Sequence, residues 1–255
     1  MTTDIFRPID STPASSAWTR LGRAATSAWC GLALLAGPAA LAAGTLEPFN
    51  GKNLDGWKNK AEGKSTSQWV VGTAKLDPAS PDKFVVAPGG QELINHTTGH
   101  GKSLDLYSAA THGDAIITLD VMVPKASNSG IYVMGEYEIQ VLDSFGRDKN
   151  PGPGDMGAIY GAQPPRQPRY KAPGEWNSFE IHWQAPKFDS AGQKTANAMF
   201  LKVILNGAII HENLEMPKAT PGGVTGREQA TGPLMFQGNH GPVAYRNIRI
   251  APLTR

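Results

Sequence analysis

Acidic and amide side chains alternate along one short segment near the middle of the chain. The pattern predicts a β-strand from Gly130 to Asp143, in which successive side chains point to opposite faces. Glu136, Glu138 and Gln140 then share one face, and Tyr132 extends the same row. A solvated outer face is the ordinary explanation for such alternation. Two neighbouring carboxylates repel each other, however, and Tyr and Gln side chains suit sugar hydroxyls, so we favour a functional face.

A second candidate group lies in the loop after a later predicted strand. Gln237, Asn239 and His240 fall within the sequence Phe-Gln-Gly-Asn-His-Gly. Histidine can transfer protons near neutral pH, and the two amides can bind hydroxyl groups. We therefore include all three residues among the candidate site residues. A histidine of an ordinary turn remains the alternative interpretation of His240.

One apparent motif does not predict a site. Residues 152–157 match the glycine spacing of dinucleotide-binding loops. That site requires a buried parallel strand before the glycines and a helix after them. Here Pro151 and Pro153 flank the first glycine, and the β-like sequence Ala158-Ile159-Tyr160 follows. The segment is predicted to be a loop.

The elements that must position these residues are short strands. Asn206-Gly207 lies between two apolar runs and predicts a hairpin with a type I′ turn. No sustained helical periodicity is present, so the pattern predicts an all-β fold of two packed antiparallel sheets. The proline-rich stretch from Ser144 to Gly174 interrupts the strands, and we expect it to be an ordered flap beside the site. The other strands are predicted at residues 68–71, 114–123, 176–184, 198–206, 208–213, 232–237 and 243–250.

The composition limits the size and the partners of the protein. The chain has 255 residues, of which 29 are Gly and 20 are Pro, and this abundance of turn formers fits one large β-sandwich. The formal net charge is only +2, which gives no electrostatic reason to expect nucleic acid or an anionic membrane as a partner. We expect a neutral small-molecule ligand.

The N-terminal residues resemble a secretory signal peptide. Arg20 and Arg23 precede an apolar stretch at residues 28–41, and Ala40 and Ala42 form an Ala-x-Ala cleavage site. The stretch is too short to span a bilayer. We therefore predict a leader at residues 1–43, a single domain at residues 44–255, and a periplasmic or secreted protein without membrane insertion after processing. The sole cysteine, Cys30, lies in the leader, so the mature chain would contain no disulfide.

Several motifs in the same order resemble those of the 3-keto-disaccharide hydrolase family. The resemblance runs from about residue 47 to the C-terminus. It includes the opening sequence Phe-Asn-Gly-Lys-Asn-Leu-Asp-Gly-Trp at residues 49–57. The other matching segments are residues 128–132, 137–144, 157–161, 173–177 and 245–248.

The resemblance implies a fold and an activity. The fold would be a concanavalin- or laminin-G-like jelly-roll sandwich of two antiparallel sheets. The substrates would be glycosides already oxidised to a ketone at C3, so a sugar 3-dehydrogenase would be a functional partner. Retaining glycosidases of the laminarinase type use acids at three alternate positions of one strand. Here the third position is Gln140, and an amide can neither attack an anomeric carbon nor transfer a proton.

A 3-keto sugar offers an easier route, because the ketone acidifies the hydrogen on C2. We expect Glu138 to be the base, with Glu136 or His240 protonating the leaving group. The negative charge of Glu136 should raise the pKa of Glu138. The substrate-binding residues would be Tyr132, Gln140, Asp143, Gln237 and Asn239.

Four alternatives remain open at this stage. A structural or adhesion sandwich would show no dependence on sugar. The two glutamates would lie about 6.6 Å apart along a strand, which permits an ordinary glycosidase pair. No cofactor is required, although Glu138 and Asp143 could hold a divalent cation that polarises the ketone. A non-catalytic carbohydrate-binding module would have the same fold and would tolerate the loss of Glu138.

Overall fold

The structure is a computed structural model that describes residues 44–60 and 65–253. The predicted leader lies outside the described residues. All 14 regular elements in the described part are β-strands, which confirms the predicted all-β class. Within these ranges, no helix has the length and apolarity needed to cross a membrane.

The smaller of the two main sheets carries the candidate site. It has five strands, and every neighbouring pair is antiparallel. In spatial order the strands are β1 (Trp57–Asn59), β4 (Leu106–His112), β13 (Gly232–Phe236), β6 (Asn128–Val133) and β7 (Tyr137–Leu142).

The larger sheet has seven strands and is also antiparallel throughout. A separate ribbon pairs β9 (Lys187–Phe188) with β10 (Lys194–Ala196). In spatial order the seven strands are β12 (Ala208–Met216), β11 (Ala198–Leu205), β8 (Asn177–Gln184), β5 (Ala115–Met122), β14 (Val243–Pro252), β3 (Ser80–Asn95) and β2 (Trp69–Asp77).

The core lies between the two sheets. Phe236 of β13 stacks on Tyr245 of β14, with ring centroids 3.8 Å apart. At a second position, Tyr137 of β7 meets Trp183 of β8 at 4.6 Å. Both pairs join opposite sheets and are fully buried, so hydrophobic burial holds the layers together. The jelly-roll sandwich that the sequence predicted is confirmed.

The hairpin at Asn206-Gly207 is confirmed. Both residues have positive φ, 51° and 78°, and Leu205 pairs with Ala208 across the turn. Sequence analysis missed β3, because the strand contains Pro81, Pro88 and two glycines that usually mark turns. Its pairing with β2 shifts register at these irregular positions, which lets a strand tolerate turn formers. The strands β1, β4, β9 and β10 were missed as well.

The proline-rich stretch at residues 144–174 packs against the free edge of the five-stranded sheet. The N–H of Gly157 donates to the Gln140 carbonyl, and the N–H of Gln140 donates to the Ala158 carbonyl, both at 2.8 Å. The N–H of Tyr160 donates to the Glu138 carbonyl at 3.1 Å. These bonds protect the edge of β7. The predicted ordered flap is confirmed, and the glycine-spaced string at residues 152–157 is a loop within it.

Candidate active site

The segment that the sequence presented as one strand is a hairpin. β6 ends at Val133, β7 begins at Tyr137, and Val133 pairs with Tyr137 across a three-residue turn. Met134 and Gly135 in this turn have φ values of 52° and 70°. The prediction of a continuous strand from Gly130 to Asp143 is therefore wrong. Positive φ at two successive residues reverses the chain, and Gly135 was the signal in the sequence for this turn.

The hairpin places most of the predicted residues around one cleft of about 250 Å³. Its floor is the face of β6 and β7 that points away from the core. The flap, the loop at residues 217–231 and the loop after β13 form its walls. The lining residues are Asn128, Tyr132, Glu138, Gln140, Tyr160, Pro221, Gly222, Gln237 and His240.

Glu138 lies on the floor of the cleft and is only 4% exposed. Its backbone is held by the β6–β7 ladder, and its N–H donates to Thr220 Oγ1 at 2.9 Å. The carboxylate lies over Gly130, where an added Cβ would be 2.4 Å from Oε1. A glycine at this position therefore makes the space for the carboxylate.

The environment of Glu138 favours its protonated form. Burial raises the pKa of Glu138 to about 7, the neighbouring Tyr132 hydroxyl opposes the rise, and the negative charge of Asp105 adds to it. The sequence predicted a raised pKa, but it assigned the cause to Glu136. The causes are desolvation and Asp105, because Glu136 belongs to the turn and not to the same strand face.

Glu136 does not line the cleft. It is as buried as Glu138, but its carboxylate is bonded to the loop at residues 217–231. Oε1 accepts from Thr225 N at 2.7 Å and from Thr225 Oγ1 at 2.8 Å, and Oε2 accepts from Gly226 N at 2.9 Å. The expected pairing of Glu136 with Glu138 is therefore corrected. Glu136 anchors the loop that carries Pro221 and Gly222 to the cleft.

Tyr132, Gln140 and Gln237 lie where the sequence analysis expected substrate contacts. Tyr132 is directly opposite Glu138 in the ladder, and its hydroxyl donates to the Pro221 carbonyl at 3.2 Å. Burial, followed by the charge of Glu138, raises the pKa of the Tyr132 hydroxyl far above its usual range, so the group stays protonated. The N–H of Gln237 donates to the carbonyl of Gly130 at 2.9 Å, which ties the loop after β13 to the floor of the cleft.

His240 lines the cleft, and Asn239 orients it. The Asn239 side-chain oxygen accepts a hydrogen bond from Nδ1 of the His240 ring, which makes Nε2 the acceptor of the neutral ring. The His100 ring packs edge-on against His240, with centroids 4.6 Å apart. Asn239 itself is not a lining residue, so its role in this structure is to hold the histidine.

Asp143 lies outside the cleft. Its Oδ2 accepts from Ala126 N at 2.9 Å and its Oδ1 from Phe145 N at 3.3 Å, so the carboxylate caps two turns at the end of β7. This placement does not support the predicted substrate contact or a cation shared with Glu138. In the described ranges, no group of three or more His, Cys, Asp and Glu residues could hold a metal ion.

Six residues around the cleft were missed by the sequence analysis, including Pro221 and Gly222 of the 217–231 loop. Asn128 and Tyr160 line it directly, and the buried Asn128 Oδ1 has no hydrogen-bond partner among the described residues. Asp105 lies behind the loop after β13 and is only 2% exposed. Lys60 lies 3.6 Å from Asp105 Oδ2. Asn128 lies within a quoted family motif and could have been found, whereas Asp105 is far from the site in sequence.

Comparison with known proteins identifies the family of this chain. Residues 44–251 match a family described as the 3-keto-alpha-glucoside-1,2-lyase-like domain. The chain belongs to this family. The resemblance predicted from the sequence motifs is therefore confirmed, and the match includes every lining residue of the cleft.

Two solved structures that are similar to this lyase-like domain come from Parabacteroides distasonis. One candidate glycosyl hydrolase is 25% identical over 82% of this chain and 84% of that chain, with a TM-score of 0.61. Another is 18% identical over 82% of this chain and 94% of that chain, with a TM-score of 0.55, and shows the shared fold. No curated protein matches the sequence. Family and fold together support a carbohydrate-related function.

Proposed function

We propose that this lyase-like domain cleaves glycosides that carry a ketone at C3, by elimination followed by hydration. The observation that carries the proposal is the buried Glu138, whose pKa lies at about 7 on the floor of the cleft. A base that titrates near neutrality is suited to removing a carbon-bound proton beside a ketone.

The cleft is less suited to ordinary glycoside hydrolysis. That reaction generally uses two carboxylic groups that flank the glycosidic bond. Among the nine described lining residues, Glu138 is the one acid, because Glu136 is bonded to the 217–231 loop. A mechanism with one carboxylate and a substrate ketone fits these groups better than a mechanism with two carboxylates.

In the first step, the Glu138 carboxylate takes the proton from C2, and the electron pair forms an enolate with the C3 carbonyl. Reformation of the ketone expels the C1 substituent, so the bond between C1 and the glycosidic oxygen breaks and a C1–C2 double bond forms. His240 in its protonated form gives a proton to the departing oxygen. The ring is then an unsaturated 3-ketone and the leaving group is an alcohol.

In the second step, water adds to C1, and C2 regains a proton from Glu138. His240 accepts the proton that the water loses, which restores both side chains. The balance is one glycoside and one water giving one 3-keto sugar and one alcohol. All charge changes are handled by proton transfer between groups that line the cleft.

Two side chains can stabilise the bound substrate. The Tyr132 hydroxyl stays protonated and can donate to the C3 oxygen as negative charge develops there. Asn128 Oδ1 is a buried acceptor without a partner in the described structure, and a substrate hydroxyl would satisfy it. The volume of about 250 Å³ is below the usual range for drug-sized ligands and suits a single sugar ring.

The proposal has two consequences for the context of the protein. The ketone must be made first, so an oxidoreductase acting at C3 of the sugar would supply the substrate. We also propose that the protein is exported to the periplasm or beyond, as the leader-like sequence at residues 1–43 predicts.

The decisive experiment compares 3-keto-glucosides with their unoxidised parents. Wild-type protein should release the aglycone from the oxidised sugars only, and in D₂O the 3-keto product should carry deuterium at C2. Deuterium at C2 distinguishes elimination and hydration from direct hydrolysis at C1, provided that 3-keto product incubated alone in D₂O gains deuterium more slowly than cleavage occurs. Cleavage of plain glycosides at comparable rates would overturn the proposal. Saturable binding of 3-keto-glucosides without any turnover would instead identify a carbohydrate-binding module.

A further inference from the structure

Two walls of the cleft are joined by an ion pair that sequence analysis did not detect. Asp105 precedes β4 and is only 2% exposed, and the Lys60 side chain is 17% exposed. Their charged atoms, Asp105 Oδ2 and Lys60 Nζ, lie 3.6 Å apart. Neither residue lines the cleft, so neither has a direct part in the reaction proposed above.

Asp105 holds the wall that carries Gln237 and His240. Its Oδ1 accepts hydrogen bonds from Gly238 N at 2.8 Å and from Asn239 N at 3.3 Å. The loop after β13 packs closely against the backbone that precedes Asp105, since a Cβ on Gly238 would lie 2.0 Å from the Leu104 carbonyl oxygen. Asp105 therefore fixes the backbone between two side chains that line the cleft.

Lys60 holds the opposite wall. Its Nζ donates to the Gly222 carbonyl at 2.8 Å, and Gly222 lines the cleft beside Pro221. Gly222 also lies close to the Tyr132 hydroxyl, which an added Cβ would approach to 2.7 Å. One ion pair thus connects both walls, although their attachment points are far apart in the sequence.

We propose that Asp105 is a positioning residue of the cleft, which fixes both walls together with Lys60 and acts electrostatically on Glu138. The proposal rests on the proposed function only for its effect on activity. In support, the charge of Asp105 raises the pKa of Glu138 in addition to the effect of burial.

Other titratable groups face the carboxyls of Glu138 and Asp105. They come from β6, the flap, β14 and the loop after β13, and Lys60 supplies the positive charge. The pKa values of the Tyr132 and Tyr245 hydroxyls are raised, so these two groups stay protonated at neutral pH, and the charge that acts on Glu138 is that of Asp105. The titratable groups are Tyr132, Tyr160, Tyr245 and His240.

The test measures the titration of the Glu138 carboxyl by ¹³C NMR in the full chain without substrate. Asp105→Asn keeps an oxygen that can accept from Gly238 and Asn239 but removes the charge, so the pKa of Glu138 should fall by about half a unit or more. Lys60→Met removes the compensating cation, so the pKa should move upward. Opposite shifts from the two variants are the expected signature.

Asp189→Asn is the matched control, because Asp189 also accepts from two backbone N–H groups but lies at the turn of the β9–β10 ribbon. This variant should leave the Glu138 titration unchanged. Hydrogen exchange should accelerate at Gly238 and Asn239 in Lys60→Met and stay unchanged in the control. An unchanged Glu138 pKa in folded Asp105→Asn would overturn the proposal. If Asp105→Asn does not fold, an unchanged pKa in Lys60→Met would overturn it.

Activity provides a separate readout. The pH at which kcat/KM for a 3-keto-glucoside is half-maximal should move downward in Asp105→Asn, in parallel with the Glu138 pKa. If no protein variant cleaves 3-keto sugars but the NMR shifts occur, the proposed function fails and the positioning role stands. If turnover occurs and its pH profile is the same in Asp105→Asn, the electrostatic role fails and the proposed function stands.

Discussion

Glu136 and Glu138 are two residues apart and equally buried, yet they belong to different regions of the molecule. Three hydrogen bonds from the 217–231 loop surround the Glu136 carboxylate. Among the described residues, no backbone N–H donates to the Glu138 carboxylate, which lies over Gly130 in the cleft. The difference shows that burial alone does not create a reactive carboxylate. Burial raises the pKa of Glu138 to about 7, and the Tyr132 hydroxyl offsets only part of this rise.

Replacing Glu138 should abolish the activity of the cleft and leave the hydrogen bonds between Glu136 and the 217–231 loop intact. Glu138→Gln keeps the shape of the side chain but removes its basicity, so kcat on 3-keto-glucosides should fall by at least about a hundredfold. Steady-state kinetics checks the loss, and circular dichroism checks the fold. Turnover close to that of the wild type in a folded variant would assign the base to another residue, with His240 as the next candidate.

Gly130→Ala should displace the Glu138 carboxylate without removing it. The new Cβ would lie 2.4 Å from Oε1, so the flexible end of Glu138 must move. A misplaced catalytic group typically costs about 10- to 100-fold in rate, and we expect a kcat loss in this range with little change in Tm. Gly154→Ala is the control, because its Cβ would meet no atom within 4 Å. Equal activity of the two variants would argue against the assigned position of Glu138.

Glu136→Gln should affect binding more than chemistry. The amide cannot accept from Thr225 and Gly226 as the carboxylate does, and losing charge-assisted hydrogen bonds typically costs about 1.5 to 3 kcal/mol. Loosening this loop moves Pro221 and Gly222, so KM should rise several-fold while kcat changes little. Glu212→Gln, at an exposed carboxylate, should change neither. A collapse of kcat with an unchanged KM would return Glu136 to the catalytic residues.

The last prediction concerns stability and its dependence on pH. The pKa of Glu138 is raised from 4.5 to about 7 in the folded protein, so the folded state binds the proton more tightly than the unfolded state. This group therefore contributes stability at low pH that is lost as the pH rises through about 7. The amide in Glu138→Gln does not ionise, so this variant avoids the loss of stability above pH 7. Its fold should be more stable than that of the wild type at pH 8 by up to about 3 kcal/mol.

Calorimetry at two pH values tests this prediction. The Tm of Glu138→Gln should exceed that of the wild type by a few degrees at pH 8, and the difference should shrink at pH 4. Glu136→Gln should show lower stability at pH 8, because its carboxylate is satisfied by hydrogen bonds. Similar Tm changes in the two variants would remove the distinction between the two glutamates.

The sequence alone was sufficient to predict elements whose conformation depends on adjacent residues. Asn206-Gly207 predicted its hairpin, because the positive φ of the turn depends on those two residues. Met134-Gly135 in the β6–β7 turn carries only half of that signal, because methionine rarely adopts the positive φ that it has here. The residues on either side of that turn alternate regularly, and this alternation masked the turn.

The sequence by itself determined the all-β class and the family, because strand alternation and ordered motifs are properties of contiguous residues. For the same reason it identified five residues that line the cleft, which are Tyr132, Glu138, Gln140, Gln237 and His240. The tertiary structure decided the separate roles of Glu136 and Glu138, since a loop more than 80 residues later supplies the donors. It also decided the place of Asp105 and Lys60. Electrostatic coupling depends on distance in space, and no local pattern in a chain encodes that distance.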